Sequence, residues 1–104
     1  MQPTNHFMRL ALAQARLAAL AGEVPIGAAI VQGGKVVASA HNLTETQNDP
    51  TAHAELLAIR SACETLGNAR LSDCDMYVTL EPCAMCAQAI SFARDNETKK
   101  PRDQ

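Results

Sequence analysis

An α/β layer structure is predicted for this chain of 104 residues, and three observations predict it. Helical periodicity opens the chain, and two strand-sized runs of β-branched and small residues flank Gly33-Gly34. An Ala-, Leu- and Glu-rich segment then stands between the second of those strands and a third. A strand entering and a strand leaving one helix is the pattern of helices layered on a sheet. The length fits one domain and leaves no room for a second core of ordinary size. Hydrophobic residues make up 47% and charged ones 19%, so most of the chain is expected to fold. Three aromatics (Phe7, Tyr77, Phe92) stand against nineteen alanines, so the core must come from aliphatic side chains and closely approaching backbones.

Over residues 7–21 the apolar positions Phe7, Leu10, Ala11, Leu17, Ala18 and Ala21 recur at three and four, which predicts an amphipathic helix. Thr4 is the expected N-cap and Gly22 the left-handed stop. Strands are predicted over 26–32 and 35–40, joined by the Gly-Gly turn of a tight hairpin. Residues 42–50 are polar and end in Asp49-Pro50, which turns the chain out of helical geometry before Thr51, the expected cap of a second helix over 52–66. Gly67 ends that helix. A third strand is expected over 75–80. A third helix opens with Pro82 at its first position, where the missing N–H costs nothing, and runs to about Arg94. The domain is therefore placed at 1–94. Residues 95–104 contain no apolar side chain, with three acids against three bases, and read as a disordered polar tail.

Nine Lys plus Arg against eleven Asp plus Glu leave a net charge of −2, so bulk charge makes no case for nucleic acid or an anionic membrane. No apolar stretch is long enough to span a bilayer. The N-terminal residues lack the basic start and apolar run of an export signal. A reduced, cytoplasmic chain is expected, and its four cysteines (Cys63, Cys74, Cys83, Cys86) are then free thiols or metal ligands.

His53 and Glu55 stand at the start of the second predicted helix; Pro82, Cys83 and Cys86 stand at the start of the third. Thiols three residues apart on a helix lie about 60° from each other and can hold one ion from one face. An ion off both helix N-termini would also be within reach of His53, and the helix dipoles there favour thiolates. Two sulfurs and one imidazole leave a tetrahedral zinc with an open fourth position, the arrangement of a catalytic site. Glu55 is then better used as a proton shuttle beside a zinc-activated water, which implies hydrolytic deamination. Taken alone, Cys-x-x-Cys also fits a thioredoxin-like redox pair, but that reading leaves Pro82, His53 and Glu55 unexplained. Cys63 is expected to be a buried structural thiol and Cys74 a free thiol in the loop before the third strand. His41 is expected to be a surface or satisfied histidine.

His53-Ala54-Glu55 with Pro82-Cys83-Ala84-Met85-Cys86, and the wider strings GEVPIGAAIV, NDPTAHAE and YVTLEPCAMC, resemble the bacterial tRNA-specific adenosine deaminases of the zinc-dependent cytidine/deoxycytidylate deaminase family. The resemblance implies a three-layer α/β/α cytidine-deaminase-like domain. That domain would lack the family's last strands and helices, leaving the third strand as a sheet edge. It further implies one Zn2+ per chain held by His53, Cys83 and Cys86, and Glu55 as general acid/base. Asn42 would contact the base, and Val24, Pro25, Ala54 and Leu80 would wall the pocket. The implied reaction converts adenosine to inosine at the wobble position of a tRNA anticodon stem-loop, in a cytoplasmic homodimer. Two alternatives stay open: deamination of a free base or nucleoside such as guanine or cytosine, and a catalytically inactive zinc-binding fragment.

Overall fold

A computed structural model describes residues 5–80, 82–93 and 97–99. In chain order the elements are α1 (His6–Leu20), β1 (Gly27–Gln32), β2 (Lys35–His41), α2 (Ala54–Leu66), β3 (Cys74–Val78), α3 (Ala84–Ala93) and β4 (Glu97–Lys99). The strands form one sheet in the order β2-β1-β3-β4. Both β2 and β3 run antiparallel to β1 and therefore parallel to each other, so β2-α2-β3 is a crossover unit. Gly33 and Gly34 both take positive φ, 57° and 79°, the backbone that a two-residue hairpin turn requires.

Alternation along the strands divides the core. Ala28, Ile30, Ala38, Met76 and Val78 face α2 and α3, where they pack with Ala54, Ala58, Ile59, Ala62 and Leu71. Val31 and Tyr77 face the other way, against Met8 and Ala11 of α1 with Phe7 beside them. Helices thus cover both faces of the sheet, giving the three-layer α/β/α arrangement.

The buried stripe of α1 is Met8, Ala11, Ala15 and Ala18. Leu17, expected on that face, is half exposed instead. Close approach selects the smaller residues. A Cβ on Gly27 would lie 2.0 Å from the Ala11 carbonyl oxygen and 2.6 Å from the Ala15 nitrogen, so β1 and α1 touch backbone to backbone. Gly27→Ala is accordingly expected to lower stability by about 1–3 kcal/mol or more, because rigid backbone rather than a flexible side chain must yield. Urea unfolding of the two proteins checks this.

Several element ends differ from the sequence reading. Thr4 lies outside the described residues, and Asn5 caps α1, its Oδ1 accepting from the Phe7 N–H at 2.8 Å. α2 begins at Ala54 rather than Ala52. Thr51 donates its N–H and hydroxyl to Asp49 Oδ1, at 2.9 and 2.7 Å, and so closes a turn rather than capping a helix. Pro82 precedes α3 by two positions, and the first helical bond runs from the Ala87 N–H to the Cys83 carbonyl at 2.8 Å. Cys74 opens β3 and is fully buried, its thiol 3.6 Å from the Ser72 carbonyl, rather than lying in the preceding loop.

The largest difference lies beyond α3. Residues 97–99, expected in a disordered tail, pair in parallel with β3 (Asp75↔Glu97, Met76↔Thr98, Tyr77↔Lys99), so β3 has neighbours on both sides over those positions. Glu-Thr-Lys carries no apolar periodicity, and its pairing comes from main-chain hydrogen bonds, which side-chain pattern does not report. Residues 94–96 and 100–104 of the same stretch lie outside the described residues.

Candidate metal centre

His53 is the N-cap residue of α2, with extended backbone (φ −82°, ψ 149°), and its ring makes no capping bond. Asn42 caps the helix in its place, its Oδ1 accepting from the Ala54 N–H at 2.8 Å in a buried setting. The imidazole is thereby free to turn towards α3. Its Nδ1 lies 3.6 Å from the Sγ of both Cys83 and Cys86, and the three donor atoms all fall within 4.8 Å of one another. Cys83 sits immediately before α3 and Cys86 in its first turn, so the starts of the two helices meet at this point.

The donor set fits zinc. Donors sharing one tetrahedral zinc at bonds of about 2.1 Å (nitrogen) and 2.3 Å (sulfur) stand roughly 3.6 Å apart, which is the separation found for both sulfur–nitrogen pairs. Cys86 is fully buried, Cys83 exposed and His53 intermediate. Burial pushes the Cys86 thiol up to about 12, and the Glu55 carboxylate and Cys83 act in the same direction, while the Leu56 backbone N–H opposes them. The expected stabilisation of this thiolate by helix ends is therefore outweighed by desolvation. A cation is what would ionise it.

Glu55, in the first turn of α2, is 4% exposed, and its Oε1 is buried without a hydrogen-bond partner. Desolvation raises its pKa, against a backbone hydrogen bond and the nearby His53, which lower it. A buried carboxyl oxygen with no partner inside the protein is a costly feature for a fold to keep, and is suited to exchanging protons with a ligand.

The remaining expected site residues divide. Asn42 is buried, with its side-chain carbonyl oxygen engaged by the start of α2, so its amide NH2 is the side-chain group left with donor capacity. Val24 and Pro25 are exposed between α1 and β1, and Leu80 is exposed just after β3. Ala54 is fully buried in the core cluster, and its N–H is taken by Asn42 at the start of α2. His41 is a satisfied histidine, its Nδ1 2.7 Å from Gln14 Oε1.

Sequence reasoning missed Glu23. This residue is 5% exposed, and its carboxylate accepts from the Glu45 N–H (3.0 Å), the Thr46 N–H (2.7 Å), the Thr46 hydroxyl (2.6 Å) and the Thr44 hydroxyl (3.4 Å). The sequence carries it within the string GEVPIGAAIV, as an acid between a helix-stopping glycine and an apolar strand, with nothing local to name its partners. The Thr46 hydroxyl first, with the other donors, holds its pKa below the usual carboxylate value. A carboxylate lowered in the folded state adds stability that is complete above about pH 4.5 and is lost as pH falls through the folded value. Wild type should therefore lose thermal stability below pH 4.5 more steeply than Glu23→Gln, as melting curves between pH 3 and 7 would register.

A His-Cys-Cys donor triad at zinc-ligand spacing, set at two helix starts on a three-layer sheet, is the arrangement of the zinc-dependent deaminases. The sequence matches the cytidine and deoxycytidylate deaminase zinc-binding region over residues 1–99, and the chain belongs to that family. Among its relatives, the tRNA-specific adenosine deaminase of Agrobacterium fabrum is 58% identical over 94 residues, 90% of this chain and 62% of the relative. A solved structure from work on A-to-I editing by tRNA:A34 deaminases at the wobble position superposes with a TM-score of 0.89 at 57% identity, covering 91% of this chain and 73% of that one. The guanine deaminase of Bacillus subtilis superposes at 0.87 with 42% identity, covering 96% and 68%. The chain spans about 60% of the length of the first curated relatives it matches. No helix among the described residues is long and apolar enough to cross a membrane.

Proposed function

We propose that this chain is a zinc-dependent hydrolytic deaminase that converts adenosine to inosine at the wobble position of a tRNA anticodon stem-loop, with one zinc ion per chain. A single observation carries the proposal: His53 Nδ1 and the two thiols converge at zinc-ligand spacing, with the unpartnered Glu55 oxygen buried at the start of the same helix. His53, Cys83 and Cys86 would hold the ion. Zinc at such a site supplies Lewis acidity, making hydroxide available near neutral pH. Glu55 Oε1 takes up one proton of the attacking water and passes it to a ring nitrogen of the base, then takes up the proton of the new C6 hydroxyl and delivers it to the departing amine. The C6–N bond breaks, a C6–O bond forms and ammonia leaves.

Asn42 donates its amide to the base, and exposed Val24, Pro25 and Leu80 form the rim over which the flipped nucleotide enters. A homodimer and a cytoplasmic site of action accompany this reading. Likeness to the B. subtilis guanine deaminase supports a second one, turnover of a free base at the same centre. Inosine and ammonia formation by the zinc-loaded chain, assayed in parallel on an anticodon stem-loop, guanine and cytosine, separates the two. Inosine in the RNA is expected. Turnover of a free base alone would favour the second reading, and no product from any substrate would favour an inactive zinc-binding fragment.

A further inference from the structure

The carboxylate of Glu23 has no part in the chemistry above, yet it is among the most heavily hydrogen-bonded side chains in the fold. Its backbone is fixed first. α1 ends in a Schellman arrangement: Gly22, at φ 77°, donates to the Ala19 carbonyl at 3.1 Å, and the Glu23 N–H donates to the Ala18 carbonyl at 2.9 Å. Glu23 therefore leaves α1 in a set direction, with its side chain entering the loop over residues 42–50.

Every group it meets there is a donor. One carboxylate oxygen receives the Glu45 N–H and the Thr44 hydroxyl; the other receives the Thr46 N–H and hydroxyl. The loop is tied at its other side to the start of α2. The Leu43 N–H donates to the Ala52 carbonyl, the Ala52 N–H to the Asp49 carbonyl, and the Ala54 N–H to Asn42 Oδ1, at 3.0, 3.0 and 2.8 Å. A continuous chain of hydrogen bonds and short backbone links thus joins the end of α1 to the helix start that carries His53 and Glu55.

We infer that Glu23 is a positioning residue: by holding residues 44–46 it fixes Asn42 and, through the Asn42–Ala54 bond, the placement of the first turn of α2. This inference rests on the deaminase reading for its effect on turnover, but not for its effect on the loop. Glutamine at position 23 would set an NH2 against two donors. Thr46→Val instead removes one hydroxyl bond while retaining the carboxylate and the shape of the side chain.

The test compares wild type, Glu23→Gln and Thr46→Val as zinc-loaded chains by amide hydrogen exchange and by steady-state kinetics on an anticodon stem-loop. Exchange at Thr46 and Ala54 is expected to quicken about tenfold or more in Glu23→Gln and less in Thr46→Val, with β1 and β3 amides unchanged. KM is expected to rise about tenfold in Glu23→Gln and kcat to fall severalfold with it, because Asn42, which meets the base, and the first turn of α2, which carries Glu55, are displaced together. Exchange at Ala54 matching wild type in both variants, quickening spread evenly over β1 and β3, or a fall confined to kcat would overturn the inference. A wild type that leaves the RNA unchanged, with the localised exchange effect present, would reject the tRNA adenosine reading and leave the positioning of α2 by Glu23 supported.

Discussion

Glu55→Gln is expected to lower inosine formation by roughly 10²–10⁴, the usual range for a positioned general acid/base, while zinc content stays that of wild type. The substitution keeps the volume of the side chain and removes only its capacity to carry a proton. A second expected effect separates this from simple damage. Burial raises the Glu55 pKa, so at neutral pH its charged form costs the folded, metal-free chain stability. A carboxyl raised in the folded state is least costly below its unfolded value and most costly above its folded one. The metal-free variant should therefore melt at the same temperature as wild type or higher at pH 7. Reduced activity with an undiminished melting temperature points to chemistry; an equally active variant would remove Glu55 from its assigned role.

Cys86→Ala is expected to have the largest effect on the metal, from one zinc per chain to nearly none. Cys86 is the buried sulfur of the triad and its thiol is raised to about 12, so in the metal-bound chain the cation offsets an otherwise unfavourable ionisation. Binding to the folded state alone stabilises it by RT ln(1 + [L]/Kd), about 4 kcal/mol at a thousandfold excess over Kd. Wild type should thus melt at a clearly higher temperature with zinc than with a chelator, and Cys86→Ala at the same temperature in both. Cys63→Ala is the matched control, because Cys63 lies outside the donor group and should leave zinc binding intact. Loss of zinc in the control as well would dissociate the metal from this triad.

Much of the architecture was legible because backbone chemistry is written in single residues. Gly22 and Gly67 both take the left-handed conformation at helix ends, and Gly33-Gly34 makes the hairpin turn. The donor triad was legible for a related reason: cysteines at helical spacing beside a proline, and a histidine before an Ala-rich helix, limit where those side chains can go. Other features depend on partners distant in sequence. The buried face of α1 is set by the approach of Gly27, which makes small alanines rather than Leu17 the contact surface. The helix-capping role of Asn42 needs Ala54 twelve residues on, and the clamp formed by Glu23 needs a loop more than twenty residues away. β4 left no trace because its pairing is made by main-chain groups that every residue type carries.

Zinc K-edge absorption on the purified chain, with metal content measured on the same sample, examines the central claim most directly. One zinc per chain is expected, with two sulfur neighbours at about 2.3 Å and nitrogen or oxygen neighbours at about 2.0 Å. A chain that binds no zinc, or binds it through nitrogen and oxygen alone, would contradict it.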